Sequence, residues 1–133
     1  GKVPLLVLDD GRRVYDSRVI LECLDHMAGG GVLIPREWND RLETLVFQSL
    51  GDGIMDASVL VSYESRYRPE EIRSAKWLDH QTGKIRRGLH HLTAKAPDPA
   101  RFDVATISIS CMLGYLDWRK QVDWRADYPA LIG

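Results

Sequence analysis

The sequence is short of several features that define whole classes of protein. No uninterrupted apolar run approaches the roughly 18 to 20 residues needed to span a bilayer, so no membrane helix is expected. Neither charge is in surplus. A formal net charge of −1 provides no long-range field to hold nucleic acid or an anionic membrane, and neither is expected as a partner. The opening Gly1-Lys2-Val3-Pro4 has no charged stretch leading into an apolar one, so it does not read as a signal peptide. Met is absent from the start and a strand-like run begins almost at once, which makes a fragment the expectation. Only two cysteines occur, Cys23 and Cys111, both in apolar stretches and without C-x-x-C spacing. They read as two buried free thiols suited to a reducing compartment, hence a cytoplasmic protein. A disulfide, or a metal pair with His90 and His91, is the alternative.

What is present is ordered in a telling way. Leu5-Leu6-Val7-Leu8 is a short continuous apolar run, as in a strand buried on both faces. Asp9-Asp10-Gly11 follows, and an Asp-Gly pair is a strong hairpin signal because Gly tolerates positive φ. Arg13-Val14-Tyr15 would pair back antiparallel. After Asp16-Ser17 the period changes to that of an amphipathic helix, with Val19, Ile20, Leu21, Cys23 and Leu24, and Ser17 is of N-cap type. Gly29-Gly30-Gly31 ends that helix and Val32-Leu33-Ile34-Pro35 reads as a linker. An isolated hairpin is marginal in water, so its apolar strand demands further sheet partners, most economically from a βαβ unit.

Beyond Pro35 only helices are expected. Trp38 to Tyr67 carries Leu42, Leu45, Val46, Leu50, Ile54, Ala57, Leu60 and Val61 at the spacing of a buried stripe, with Gly51 and Gly53 marking a bend or a close contact. Pro69-Glu70-Glu71 is expected to open the next helix, whose stripe runs Ile72, Ala75, Leu78, Thr82, Ile85, Leu89, Leu92, Ala96. Its other face (Lys84, Arg86, Arg87, His90) reads as solvated. Asp103 is expected to cap a third helix, Val104 to about Trp118, apolar nearly all round and therefore central in a bundle. Tyr128-Pro129-Ala130-Leu131-Ile132-Gly133 then begins what reads as another helix.

This order of pieces resembles the glutathione S-transferase superfamily, in which a thioredoxin-like domain precedes a helical one. The matching segments are Gly1-Lys2-Val3-Pro4-Leu5-Leu6, Tyr15-Asp16-Ser17-Arg18-Val19-Ile20 with Leu24-Asp25, Ala105 to Asp117, and the closing Tyr-Pro-Ala-Leu. Leu-Gly-Tyr-Leu-Asp in the central helix is similar to bacterial cytosolic members. Three departures stand out. Cys23 occupies a position where Tyr is common. The box ahead of the central helix has its polar types exchanged, Asp103 and Thr106. The family's thiol-activating residue (Ser, Tyr or Cys) lies in a first βα segment that this sequence lacks, so the catalytic residue is expected upstream of residue 1.

The resemblance implies an α+β/α fold: the end of a thioredoxin-like domain over 1–28, a linker over 29–35 and an all-α domain over 36–133. It implies glutathione as substrate, a small hydrophobic electrophile as its partner in reaction, no metal, and a homodimer. Val3 and Pro4, with a cis bond between them, would offer backbone groups to the cysteinyl unit. Ser17 and the helix terminus would take the γ-glutamyl carboxylate, and Asp16 the ammonium. Tyr63 and Tyr67 could line a second-substrate pocket or simply pack. A transferase-fold scaffold or regulator without catalysis is the alternative function.

Overall fold

The computed structural model describes residues 2–132; Gly1 and Gly133, the ends of the expected domain ranges, lie outside it. Two short strands, β1 (Leu6–Val7) and β2 (Arg13–Val14), pair antiparallel with Leu6 opposite Val14. Gly11 turns the hairpin at a φ of 82°, a conformation costly for any side chain. Helix α1 (Ser17–Met27) follows, then α2 (Trp38–Tyr67), α3 (Ala75–Ala94), α4 (Val104–Arg119) and a four-residue α5 (Trp124–Asp127). Among the described residues there is no strand after β2, and the fold is the expected short sheet followed by a helical bundle. No described helix is long and apolar enough to cross a membrane.

The helical core forms where α2 packs on α4 and α3. Phe47, Ile54 and Ala57 from α2 meet Ile85, Leu89 and Leu92 from α3 and Ala105, Ile109, Met112 and Leu116 from α4. Two glycines allow the helices to approach. A Cβ on Gly88 would lie 2.5 Å from Ile54 Cγ1, and one on Gly51 would lie 2.7 Å from Ser108 Oγ. Gly51 therefore marks a close contact, whereas Gly53 faces open space.

Several burial expectations are corrected. Leu5 and Val7 are exposed and Leu6 and Leu8 half-buried, because only one neighbouring strand and one helix cover this run. On α2 the buried face is Thr44, Phe47, Gln48, Gly51, Ile54, Ala57 and Ser58, while Leu42, Val46 and Leu60 are exposed. Apolar residues ring much of this helix, so periodicity alone could not select which stripe meets α3 and α4.

The helix expected to open at Pro69 starts later. Glu70–Ile72 is a single 3₁₀ turn, Arg73 is extended, and Ser74 caps α3 by accepting from the Trp77 amide. Ile72 and Ala96 consequently fall outside the helix and are exposed. Lys84, Arg86, Arg87 and His90 are exposed, as read from the pattern.

Asp103 caps α4 in a reciprocal box. Its carboxylate accepts from the amides of Ala105 and Thr106, and Thr106 Oγ1 accepts from the Asp103 amide. The helix is not covered on all sides by the described residues: Ser110, Cys111, Gly114 and Trp118 face outward. Both cysteines are free, but Cys111 is exposed and Cys23 half-buried, which corrects the reading of two buried thiols. Near the chain's end, α5 and a 3₁₀ turn over Pro129–Leu131 replace the helix expected from Tyr128.

Candidate functional site

The hairpin register brings the expected site residues together. Leu6 pairs with Val14 and Val7 with Arg13, which brings the segment before β1 and the segment after β2 to the same end of the hairpin. The two dipeptides therefore meet at one end of the hairpin. An ion pair between Lys2 Nζ and Asp16 Oδ2, 3.2 Å long, ties the two segments across that end. The Val3–Pro4 bond is cis, and Val3 is 85% exposed, leaving its backbone groups accessible.

Asp16, not Ser17, is the N-cap of α1: its carboxylate accepts from the Arg18 amide at 3.4 Å. Ser17 is the first helical residue, exposed, with no hydrogen-bond partner for its hydroxyl among the described residues. The reason for the one-residue shift is conformational. Asp16 has the extended backbone of a cap while Ser17 already has helical geometry. The Lys2 ammonium hydrogen-bonded to Asp16 holds its carboxyl below the usual range, against a smaller opposing effect of burial, with the Arg18 amide helping. A hydroxyl, a carboxylate and the positive end of a helix thus lie within two residues, a set able to hold both halves of an amino-acid zwitterion.

The first turn of α1 is fixed to the helical bundle. Arg18 Nε donates to Asp52 Oδ2 at 2.6 Å, and the Ser108 hydroxyl donates to Asp52 Oδ1 at 2.9 Å, with the Gln48 carbonyl at 3.2 Å as a second acceptor. One carboxylate on α2 therefore joins α1 to α4. Sequence reasoning did not find this link; its trace in the sequence is Gly51, the small residue that admits Ser108.

The far end of α1 is held by Asp25. This buried carboxylate accepts from the amides of Gly31 at 3.0 Å, Val32 at 2.9 Å and Leu33 at 2.6 Å. Burial would raise its pKa, but the amides of Leu33, Gly31, Val32 and Ile34 together outweigh burial and lower it. Leu33 in turn accepts from the Val104 amide at 3.0 Å, so the linker bridges α1 and the start of α4.

Tyr63 lines an open cleft of about 610 Å³ at the C-terminal ends of α2 and α4, together with Arg66, Arg119 and Gln121. Tyr67 packs edge-on against Tyr63, with ring centroids 5.2 Å apart, and does not line the cleft.

These features can be set beside known proteins. Residues 1–27 match the family described as glutathione S-transferase, N-terminal domain. The uncharacterized GST-like protein YibF of Escherichia coli is 36% identical over 99% of this chain and 67% of its own length. A glutathione transferase family member from Pseudomonas fluorescens Pf-5, solved with bound S-(propanoic acid)-glutathione, shares 50% identity. It superposes with a TM-score of 0.92 over 99% of this chain and 68% of its own. A glutathione S-transferase from Methylobacillus flagellatus, solved with glutathione bound, gives 38% identity and a TM-score of 0.89 over 98% of this chain and 67% of its own. This chain thus spans about two thirds of the length of these proteins. It belongs to the glutathione S-transferase superfamily.

Proposed function

We propose that the protein containing this chain is a cytoplasmic glutathione transferase, which joins the glutathione thiolate to a small electrophile. The observation that carries the reading is the meeting of Val3-Pro4 with Asp16-Ser17 at the hairpin's end. In it, the accessible backbone of Val3 pairs with the cysteinyl unit as a short added strand would. The free Ser17 hydroxyl and the α1 terminus take the γ-glutamyl carboxylate. Asp16, which already holds the primary ammonium of Lys2, takes the glutathione ammonium in its place. Residues 1–28 form the end of the glutathione-binding domain, 29–35 the linker and 36–133 the helical domain. The thiol-activating group is assigned to residues outside this chain. It has to lower a thiol pKa of about 8.5 for attack at neutral pH. Neighbours solved with glutathione and with a glutathione conjugate support the substrate assignment. The protein is proposed to act as a homodimer, for which the exposed Trp38, Leu42 and Val46 along α2 supply apolar surface.

The test is calorimetric titration of the full-length protein with glutathione. Ser17→Ala removes a hydrogen bond to a charged group, worth about 1.5 to 3 kcal/mol, and should weaken binding about ten- to hundred-fold. Because Asp16 is the cap, the same variant should unfold in denaturant within about 0.5 kcal/mol of the parent, as an exposed substitution does. A parent that binds no glutathione at millimolar concentration would overturn the reading and leave a scaffold of the same fold.

A further inference from the structure

From the cleft at the C-terminal ends of α2 and α4, we infer that the second substrate is an electrophile with an apolar body and a carboxylate. The inference rests on the glutathione-transfer reading and deepens it. The cleft, of about 610 Å³, is walled by Val61, Leu78 and the ring of Tyr63, and it carries two guanidinium groups, Arg66 and Arg119. No acidic residue lines it, and among the described residues neither arginine takes part in an ion pair. Two uncompensated cations beside apolar walls, in a chain whose net charge is −1, are a local excess rather than a reflection of composition.

The groups around the cleft are held in place. Arg119 lies over the Trp118 ring, 3.9 Å from its centroid, and its Nε donates to Tyr115 Oη at 3.0 Å. Its two terminal amino groups have no protein acceptor among the described residues. That planar pair of donors matches the two oxygens of a carboxylate. Gln121 is fixed by donating from Nε2 to the Ser58 carbonyl at 3.0 Å and to Ser62 Oγ at 2.8 Å, which ties the end of α4 to α2. The hydroxyls of Ser62 and Ser65 complete the polar side.

Placement along α2 relates the cleft to glutathione. Tyr63 is eleven residues beyond Asp52, which holds Arg18 beside Ser17. Eleven residues advance about 16 Å and leave Tyr63 only about 20° from the Asp52 direction, so both lie on one helix face. An extended tripeptide spans about 10 Å. The reacting sulfur is on the central residue, so from a γ-glutamyl anchor at Ser17 it reaches at most about half of the tripeptide's length. The extended arginine side chains with the body of the electrophile cover the rest. In the transfer, the thiolate sulfur forms a bond to the electrophilic carbon as the carbon–halogen bond breaks. The halide leaves with the bonding pair, and the carboxylate stays on the arginines without reacting.

Both arginines also lie in the last turns of their helices, where a cation suits the helix dipole. The test separates that role from binding. Full-length protein is titrated calorimetrically with phenylbutyrate and with neutral phenylbutyramide, and turnover with glutathione is measured on para-(chloromethyl)benzoate and para-(chloromethyl)benzamide. The carboxylates should bind about ten-fold or more tighter than the amides and show a correspondingly lower KM. Arg66→Gln and Arg119→Gln should each erase most of that preference, and Arg66→Lys should restore part of it. Glutathione-dependent turnover with equal preference for acid and amide overturns the cationic cleft and leaves the transferase reading intact. A carboxylate preference in binding without glutathione-dependent turnover upholds the cleft as a site and overturns the transfer. Variants that lose stability but keep the preference overturn the binding role.

Discussion

Asp25 offers the sharpest test of how the linker is built, because a single buried carboxylate serves three consecutive amides. In Asp25→Ala, the amides of Gly31, Val32 and Leu33 lose their acceptor at once. One hydrogen bond to a charged group contributes about 1.5 to 3 kcal/mol. Three such bonds do not add fully here, since Gly31 and Val32 are exposed and their amides can turn to water. A loss of about 3 kcal/mol follows, which in a full-length protein of its relatives' size lowers Tm by about 6 to 12 °C. Asp25→Asn keeps one oxygen acceptor but sets an amino group against an amide, and should lose roughly half as much.

The pH dependence has a definite sign. The folded-state pKa of Asp25 is depressed, so its contribution is full above the ordinary aspartate value of about 3.9 and is lost as pH falls through the lower folded value. Thermal unfolding of full-length parent and variants from neutral pH to pH 3 should show the gap between them narrowing at the acid end. An Asp25→Ala protein that melts with the parent at neutral pH would refute the argument. So would a gap that widens on acidification.

Two further predictions concern the helical core. Gln81 is fully buried, with neither amide atom hydrogen-bonded among the described residues, so Gln81→Met should raise stability by about 1 to 2 kcal/mol in denaturant unfolding; a drop would mean that the amide is satisfied in solution. Gly88→Ala places a methyl group 2.5 Å from Ile54 Cγ1 and should cost about 1 to 3 kcal/mol, partly recovered when Ile54→Ala is added; strict additivity of the two changes would contradict the close α2–α3 contact.

Local signals carried much of this protein. The Asp-Gly turn, the change of period at Asp16-Ser17, the three long helices and the Asp103 cap could be read from residues and spacing, because each depends on backbone preferences within a few positions. The meeting of Val3-Pro4 with Asp16-Ser17 was also within reach, since a short hairpin determines its own register. Other features depend on partners distant in sequence, and only the folded chain decided them. Asp16 took the cap from Ser17 because the backbone turns helical already at Ser17, one residue earlier than a Ser17 cap would have it. The stripe that α2 buries was selected by Ser108 and Ile85 across the interface, so Leu42 and Val46 stayed outside despite fitting the pattern. Ile72 and Cys111 were exposed for the same reason: apolar character states what a residue gains by burial, not whether a neighbour arrives to cover it. The Arg18–Asp52–Ser108 link and the paired arginines of the cleft join helices remote in sequence, and no spacing rule connects them. Periodicity and turn chemistry are properties of one segment, whereas burial and charge pairing are properties of the space between segments.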